Sequence, residues 1–587
     1  MTDSNNTSPS GYRFDDVVID CKNFRVEKNG QTRTLTPRAF DILVFLVARR
    51  GRAVEKQELF EQIWKGTFVT DNALTRVIKE IRRAIGDDAD APRYIETIPK
   101  RGYRFIAEIT QISDAAKTSQ PELTEQRATP SIPSMAVLPF KLFTSNSDDE
   151  YLGLGMADAL ITRLSNVRQI IVRPTSAVLK YAGINQDPVA IGRELCVESV
   201  LEGSIRKSGE RIRVTVQFVS VEDGRPLWAD KFDEKFTDIF AVEDSIAEKV
   251  ADALALRLSG EERLLLKKRY TGAVEAHEFY LKGRYYANKF TLENFNKSIE
   301  SFHRALDIDP NYALVYAGIA KAYWIAADLY LNPEEAVKQT KEAAIKAVEI
   351  DDRLAEGHAF LAISRMSYDW DWIESYKGLK RAIELNPVFA PTHQWYGWYL
   401  SVTGQHDEAI RESERAKQLD PFSLGINWFL SVSYCLARRY DEALEKALDL
   451  IELEPNFWAG HLGAGICYAY RGEYTESIAA HLKAKGLDSS PMIKGSLVYV
   501  YALAGMNDKA RAGLDELKTL EKESFVSPFY LALIHMALRK NDEAFAYLEK
   551  AYEMHDSSLP LLKVDARLDP LRSDPRLTDM MLRIGLV

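Results

Sequence analysis

The sequence predicts a multidomain protein with three parts: an N-terminal α+β domain built on a helix-turn-helix, a middle α/β domain and a C-terminal all-α solenoid. Three observations carry this prediction. The 587 residues exceed what one hydrophobic core usually supports. A helix pattern over residues 71–85 combines an apolar stripe with a cationic face and precedes a hairpin pattern. The second half of the chain repeats small residues at intervals close to 34 positions.

The N-terminal part opens with short alternating segments and two helix patterns. Residues 12–35 alternate apolar and polar side chains, and Asn29-Gly30 supplies a hairpin turn. Thr36-Pro37 provides the N-cap and first-turn proline of one helix. A second helix over residues 55–64 comes next and is predicted to be the first half of a helix-turn-helix.

The helix over residues 71–85, capped by Thr70 or Asp71, carries the candidate DNA contacts. Its apolar stripe consists of Leu74, Val77, Ile78, Ile81 and Ile85. Its opposite face carries Asn72, Thr75, Arg76, Lys79, Arg82 and Arg83. A DNA major groove admits one α-helix, and arginine pairs with guanine edges through two hydrogen bonds. The following hairpin has Lys100 and Arg101 at its tip. The alternative interpretation is a solvated charged face on an ordinary helix.

Three segments of this part carry a family resemblance: LTPRAFDILVFLVARRGRAVEKQELFEQIW, FVTDNALTRVIKEIRRAIGD and YIETIPKRGYRFIAEI. Together, over residues 12–109, they resemble the winged-helix DNA-binding domain of OmpR/PhoB-type response regulators. The resemblance implies that the third helix enters the major groove and that the hairpin, or wing, reaches the neighbouring backbone or minor groove. Residues facing DNA would then be Thr75, Arg76, Lys79 and Arg82, with Lys100 and Arg101 at the wing. Glu80 stands where relatives often have a cation, so their base preference cannot be carried over.

The composition of the chain and the segment that follows the winged helix indicate where the protein is located. The chain has a net charge of −10, but residues 12–109 hold 19 Lys+Arg and 15 Asp+Glu, a local charge of +4. The four cysteines lack metal or redox spacing, which favours a reducing compartment. Residues 1–11 are predicted to be a disordered tail and residues 110–133 a polar linker. Membrane regulators of the CadC/ToxR type have a similar winged helix but cross the membrane at that point. No apolar span occurs here, so a cytoplasmic protein without membrane contact is predicted.

The middle domain, residues 134–260, is predicted to be α/β. The segments AVLPF, YLGLGMADALITRLS and VLEGSIRKSGERIRVTVQFVSVEDGRPLWADKFD resemble the TolB-N-terminal/FlgO-like domain of some bacterial signalling proteins. The glycines of GLGMAD lack the GK[ST] of a phosphate-binding loop and the spacing of a dinucleotide site. No catalytic residues, metal ligands or cofactor site are predicted. Ligand sensing and a structural joint stay open as roles for this domain.

The C-terminal part, residues 273–587, is predicted to be an array of about eight tetratricopeptide (TPR) repeats with a capping segment. Small residues recur at intervals of 38, 39, 34, 34, 34, 33 and 34, at Ser298, Ala336, Ser375, Ala409, Ala443, Ser477, Ala510 and Ala544. The two longer intervals predict an extra turn or loop in the early repeats. The register predicts an inward lining that could bind a peptide or partner helix, formed by Gln394, Trp398, Trp428, Val432, Leu462, Ile466 and Tyr499. The alternative is that several of these residues only pack between helices.

The sequence therefore predicts a bacterial, sequence-specific DNA-binding transcriptional regulator that is not an enzyme. Control would come from ligand or protein binding to the middle and TPR domains, because no receiver domain precedes the winged helix. The expected partners are double-stranded DNA, a protein or peptide in the TPR groove and a second copy of the chain. The main alternative is a scaffold or adaptor of a signalling pathway whose winged helix contacts protein. A second alternative, an enzymatic function, is supported only by the occurrence of a similar middle domain in cyclase-like proteins.

Overall fold

The computed structural model describes most of the chain. The described residues are 11–21, 25–29, 31–33, 35, 37–63, 71–89, 91–98, 101–112, 133–143, 149–183, 187–209, 211–235, 239–254, 256, 258–289, 291–329, 331, 333–522 and 525–586. The predicted Thr70 cap, the tip residue Lys100 and the linker from 113 to 132 lie outside them. The chain divides into two compact units, residues 1–131 and 132–587.

The described part of the first unit contains two antiparallel sheets and three helices. Its helices are α1 (Pro37–Ala48), α2 (Lys56–Ile63) and α3 (Asp71–Ile85). The five-stranded sheet has the order β4-β3-β2-β1-β8, from β1 (Gly11–Phe14), β2 (Val17–Asp20), β3 (Arg25–Lys28), β4 (Gln31–Arg33) and β8 (Thr110–Ile112). The three-stranded sheet has the order β5-β7-β6, from β5 (Ala53–Glu55), β6 (Ile95–Ile98) and β7 (Gly102–Phe105). The β6–β7 hairpin is the wing.

The end of the first unit differs from the sequence prediction. Residues Thr110–Ile112, which the sequence assigns to the linker, form β8 and pair antiparallel with β1. Gly11, assigned to the tail, pairs with Ile112. The backbone hydrogen bonds of a sheet edge extend this strand beyond the point at which the hydrophobic pattern stops.

The middle region of the second unit is a mixed sheet covered by helices. Its strands are β9 (Ser134–Val137), β10 (Lys141–Leu142), β11 (Ile171–Val172), β12 (Ser199–Ser208), β13 (Arg211–Ser220) and β14 (Pro226–Lys235). The main order is β11-β9-β12-β13-β14, parallel on the β9 side and antiparallel from β12 to β14. Its helices are α4 (Tyr151–Leu164), α5 (Thr175–Val178), α6 (Pro188–Glu194), α7 (Ile239–Ala253) and α8 (Gly260–Leu266).

Sixteen further helices follow as eight consecutive pairs within the described residues. They are α9 (Val274–Ala287), α10 (Leu292–Ile308), α11 (Ala313–Leu329), α12 (Pro333–Ile350), α13 (Ala355–Ser364), α14 (Trp372–Leu385), α15 (Ala390–Thr403), α16 (His406–Leu419), α17 (Leu424–Leu436), α18 (Tyr440–Leu453), α19 (Trp458–Tyr470), α20 (Tyr474–Leu487), α21 (Pro491–Leu503), α22 (Asn507–Leu520), α23 (Pro528–Ala537) and α24 (Asn541–Glu553). None of the described helices is long and apolar enough to cross a membrane.

The repeated small residues explain why the helices pair so closely. All eight of them, from Ser298 to Ala544, have 0% exposure and lie on the second helix of a pair. Where the residue is serine, its hydroxyl donates to a carbonyl of the first helix: Ser298 to Gly283, Ser375 to Ala362 and Ser477 to Gly465, at 2.7–2.8 Å. A larger side chain at these crossings would push the helices apart. The repeat period in the sequence is therefore a packing period in the structure.

The middle region and the array pack directly against each other. Asp158 of α4 forms a buried ion pair with Arg284 of α9 at 2.9 Å. Glu243 of α7 contacts the His277 ring at 3.0 Å. Arg173 donates to the carbonyl at the end of α16, Leu419, at 2.7 Å. Buried charges that are paired in this way fix the geometry of a joint, because separating them leaves each charge without a partner.

The C-terminal segment reaches back to earlier repeats. It consists of two 3₁₀ helices, Leu559–Lys563 and Ala566–Leu571, followed by α25 (Pro575–Arg583). Arg438, after α17, binds both carboxylate oxygens of Asp569 at 2.7 Å. Tyr470, at the end of α19, donates to Asp565 at 3.0 Å. The C-terminal segment therefore contacts not only the last repeat but also earlier repeats of the array.

A clasp joins the third helix pair to the eighth. The extra turn that the 39-residue interval predicts is a π-helical turn, Arg365–Asp369, followed by Trp370 in the left-handed region at φ 53°. The Trp370 ring stacks on Tyr552 and His555, with ring centroids 5.1 and 4.7 Å apart. Trp372 donates from its indole nitrogen to the Ile584 carbonyl at 2.6 Å. We call Trp370, Trp372, Tyr552, His555 and Ile584 the clasp.

Removing the Trp370 ring is expected to loosen the C-terminal segment. We expect Trp370→Ala to cost about 2–3 kcal/mol, because aromatic truncation loses both packing and stacking. In hydrogen exchange of the full chain, amides of residues 556–584 should exchange at least tenfold faster. Trp458→Ala is the control, because Trp458 packs on Trp428 outside the clasp. Equal exchange of this segment in both variants would contradict the clasp.

Candidate nucleic-acid interface

The helix α3 is oriented by its apolar stripe. Leu74, Val77, Ile78, Ile81 and Ile85 are all at most 6% exposed and pack into the core of the first unit. An amphipathic helix that buries one stripe must turn the opposite face outward. This confirms the apolar side of the predicted pattern.

Three of the candidate residues form a row on that outer face. Thr75, Lys79 and Arg83 are exposed and follow one another at four-residue spacing, which places them on one ridge of the helix. Arg101 is exposed at the turn of the wing, and its N–H donates to the Ile98 carbonyl at 3.0 Å. The side chains of Asn72 and Arg76 lie outside the described residues, although their backbone belongs to α3.

Arg82 has a different environment from the rest of the row. It is 9% exposed, and its guanidinium donates to the Ile95 carbonyl at 2.7 Å and to the Thr97 hydroxyl at 3.0 Å. Both acceptors belong to β6 of the wing. The structure therefore shows Arg82 tying α3 to the wing, where the sequence predicts a side chain that faces DNA.

Asp87 completes this connection, and the sequence prediction did not include it. Its carboxylate is fully buried and accepts hydrogen bonds from the backbone N–H groups of Arg93, Tyr94 and Ile95, at 2.7–3.0 Å. It also lies 3.6 Å from the Arg82 guanidinium. The signal in the sequence is Gly86-Asp87 after the helix, because glycine ends helices in the left-handed region and a following aspartate can bind nearby N–H groups.

The base of the wing is fixed by one glycine and by an aromatic cluster. A Cβ at Gly102 would lie 1.9 Å from the Val54 carbonyl oxygen, so only glycine allows β7 to approach β5. Phe14 contacts the rings of Tyr94 and Phe105 edge-on, with centroids about 5 Å apart. Burial and the hydrogen bond to Asp15 raise the pKa of Tyr94 to about 12, so its hydroxyl stays a donor at neutral pH.

The predicted inward lining of the array is mostly packed. Leu462 and Tyr499 are 2% and 7% exposed, and the other five positions, Gln394, Trp398, Trp428, Val432 and Ile466, are half-buried. Trp398 packs edge-on against Phe429, and Trp428 packs with Trp458, Leu462 and Ile466 in one cluster. These contacts support the packing interpretation for the aromatic residues. A peptide-binding role for the seven positions stays a prediction.

Comparisons with known proteins agree with this architecture. Residues 30–105 match the family model described as "Transcriptional regulatory protein, C terminal", and residues 131–249 match "HilA/YgeH-like transcriptional regulator, second domain". The chain therefore carries an OmpR/PhoB-type winged-helix domain followed by TPR-like helical repeats.

Three relatives show how far the similarity extends. The transcriptional regulator HilA of Salmonella typhi is 22% identical over 567 residues, which cover 94% of this chain and 91% of that protein. A putative adenylate cyclase 3 of Rhizobium meliloti is 31% identical over 240 residues, 40% of each chain. The solved DNA-binding domain of Escherichia coli CadC is 32% identical, with 18% of this chain and 97% of that chain covered and a TM-score of 0.16. Similarity to the regulator is thus spread over almost the whole length.

Replacing Asp87 by asparagine is expected to free the wing locally. A neutral amide accepts hydrogen bonds more weakly than a carboxylate, and the positive charge of Arg82 would lose its neighbour. In hydrogen exchange of full-length protein, we expect the amides of Arg93, Tyr94 and Ile95 to exchange about tenfold faster. Asp88→Asn makes the same charge change at an exposed neighbouring position. Similar exchange rates in the two variants would show that Asp87 does not hold the wing.

Proposed function

We propose that this chain is a sequence-specific DNA-binding transcriptional regulator. The observation that carries the proposal is the exposed row Thr75, Lys79 and Arg83 on α3, in a domain that matches the transcriptional-regulator family model. An exposed helix with cations and a small hydrogen-bonding residue suits the major groove, where phosphates flank the base edges. The full-length similarity to a protein named as a transcriptional regulator supports the same function.

In this proposal the role of each candidate residue depends on its position along α3 or on the wing. Asn72, Thr75 and Arg76, near the start of α3, read base edges, as the N-terminal part of a recognition helix does. Lys79 and Arg83 contact bases or phosphates further along, and Lys100 and Arg101 at the wing bind the neighbouring backbone. Arg82 acts through the wing, because its guanidinium is occupied by β6. The protein works in the cytoplasm and performs no reaction of its own.

Regulation in this proposal comes through the second unit. The Asp158–Arg284 and Glu243–His277 contacts pack its middle region against its array. A ligand or protein that binds to one of them would therefore also affect the conformation of the other. Self-association through this unit would place two DNA-binding domains on neighbouring half-sites and raise their effective concentration. The alternative is a scaffold whose winged helix binds protein, and DNA titrations separate the two.

Loss of one cation from the α3 row should change the salt dependence of DNA binding. With fragments selected from genomic DNA by the purified chain, Lys79→Ala is expected to weaken binding. The slope of log Kobs against log salt concentration should become shallower by about one, because each phosphate contact releases about one counterion. Arg101→Ala at the wing should have a similar effect on all sequences.

The matched control for both variants is Arg13→Ala, which removes one exposed cation from β1 of the five-stranded sheet. It lowers the net charge equally but should keep the wild-type slope. If all three variants bind and titrate with salt alike, α3 and the wing are not the DNA-binding surface, and the scaffold alternative is favoured.

A further inference from the structure

A polar cleft lies at the joint between the middle region and the array. It has a volume of about 230 Å³ and is formed where the first turn of α4 meets the α9–α10 hairpin. Its main walls are Tyr151, Lys282, Tyr285, Tyr286, Lys289 and Lys297. Ligand pockets for larger molecules usually measure roughly 300–1,000 Å³, so this joint cleft suits a small ligand.

The joint cleft is surrounded by three lysines on tyrosine rings. The Lys289 ammonium lies 4.1 Å from the Tyr285 ring centroid and makes no ion pair within the described part of the chain. Lys297 pairs with Glu293 at 2.6 Å, but both side chains are largely exposed, so this pair is weak and can exchange for a ligand. Lys282 pairs with Glu278 and lies over the Tyr151 ring. Glu150, also in the lining, receives a hydrogen bond from the Tyr285 hydroxyl at 3.3 Å.

Tyr151 contributes its aromatic ring to the wall of the joint cleft. The residue is 3% exposed, and its hydroxyl lies beside the Glu278 carboxylate. Burial and this carboxylate raise the pKa of Tyr151, so the hydroxyl stays protonated and neutral.

The helices α4 and α9, which contribute residues to the joint cleft, pack closely together. Gly155 of α4 allows the Leu281 side chain to approach: a Cβ at that position would lie 3.0 Å from the Leu281 Cβ. The Asp158–Arg284 ion pair is on the same two helices.

We propose that the joint cleft binds a small aromatic phosphate or carboxylate. Lys289 and Lys297 contact the anionic group, and the flat ring packs against Tyr285 and Tyr286. Tyrosine rings favour stacked or edge-on aromatic partners, and lysine is a common phosphate ligand. A ligand of this class would be what the second unit senses, if the proposed regulation through that unit holds. Binding at the joint cleft does not depend on DNA binding by the first unit, so its failure would leave the proposed function standing.

The test is calorimetric titration of the full chain with three probes: inorganic phosphate, phenyl phosphate and phenol. Phenyl phosphate should bind saturably at one site per chain and at least fivefold more tightly than either of the other two. Benzoate in place of phenyl phosphate distinguishes a carboxylate ligand from a phosphate ligand. Lys289→Ala and Lys297→Ala should each weaken phenyl phosphate binding about tenfold, because each removes one charge-assisted contact.

One further variant makes the result specific. Lys509→Ala removes a lysine that lies over Tyr501 elsewhere in the array, and it should bind as wild type. The proposal is overturned if no aromatic anion binds saturably. It is also overturned if Lys289→Ala and Lys297→Ala bind phenyl phosphate like the Lys509→Ala control.

Discussion

The candidate DNA-binding surface of the first unit depends on the buried carboxylate of Asp87. Three consecutive backbone N–H groups at the start of the wing converge on it, and the Arg82 guanidinium approaches it from α3. A buried carboxylate is stable only with such partners, because desolvation of an unpaired charge costs several kcal/mol. The helix and the wing are therefore positioned by one electrostatic arrangement. This arrangement fixes the relative positions of the exposed residues Lys79 and Arg101, which the proposed function places against one DNA site.

Helical periodicity predicted most of α3 and missed one residue for a physical reason. The stripe from Leu74 to Ile85 is buried, and Thr75, Lys79 and Arg83 are exposed, as the 3.6-residue period requires. Arg82 lies at the border between the two faces, where the period does not decide burial. Its long side chain finds acceptors on β6, thirteen and fifteen residues further along the chain. Such partners follow from tertiary structure, so neither Arg82 nor Asp87 could be placed from local spacing.

In the array, too, the sequence predicts local features but not the contacts between residues that are far apart in the chain. Eight small residues marked the repeats correctly because each sits at a helix crossing with no room for a larger side chain. The clasp and the path of the C-terminal segment involve residues that are about 95 to 210 positions apart, such as Tyr470 with Asp565 and Trp372 with Ile584. Nothing in a repeat period specifies such pairs. The longer interval before Ser375 signalled an irregular turn, and only the structure shows that this turn holds Trp370 against Tyr552.

The C-terminal segment packs against earlier repeats, and this changes how accessible the apolar residues of the array are to a partner. In an open solenoid each repeat contacts only its neighbours, and an inner aromatic residue is available to a partner. Here Leu559, Leu568, Leu577 and Ile584 of the C-terminal segment are at most 1% exposed, and their partners include residues of earlier repeats. Burial of several such side chains stabilises the packed C-terminal segment by roughly 1.5–3 kcal/mol each. A partner that displaced the segment would have to offset this free energy. The joint cleft, lined by lysines and tyrosine rings, is a polar surface formed by residues outside the C-terminal segment.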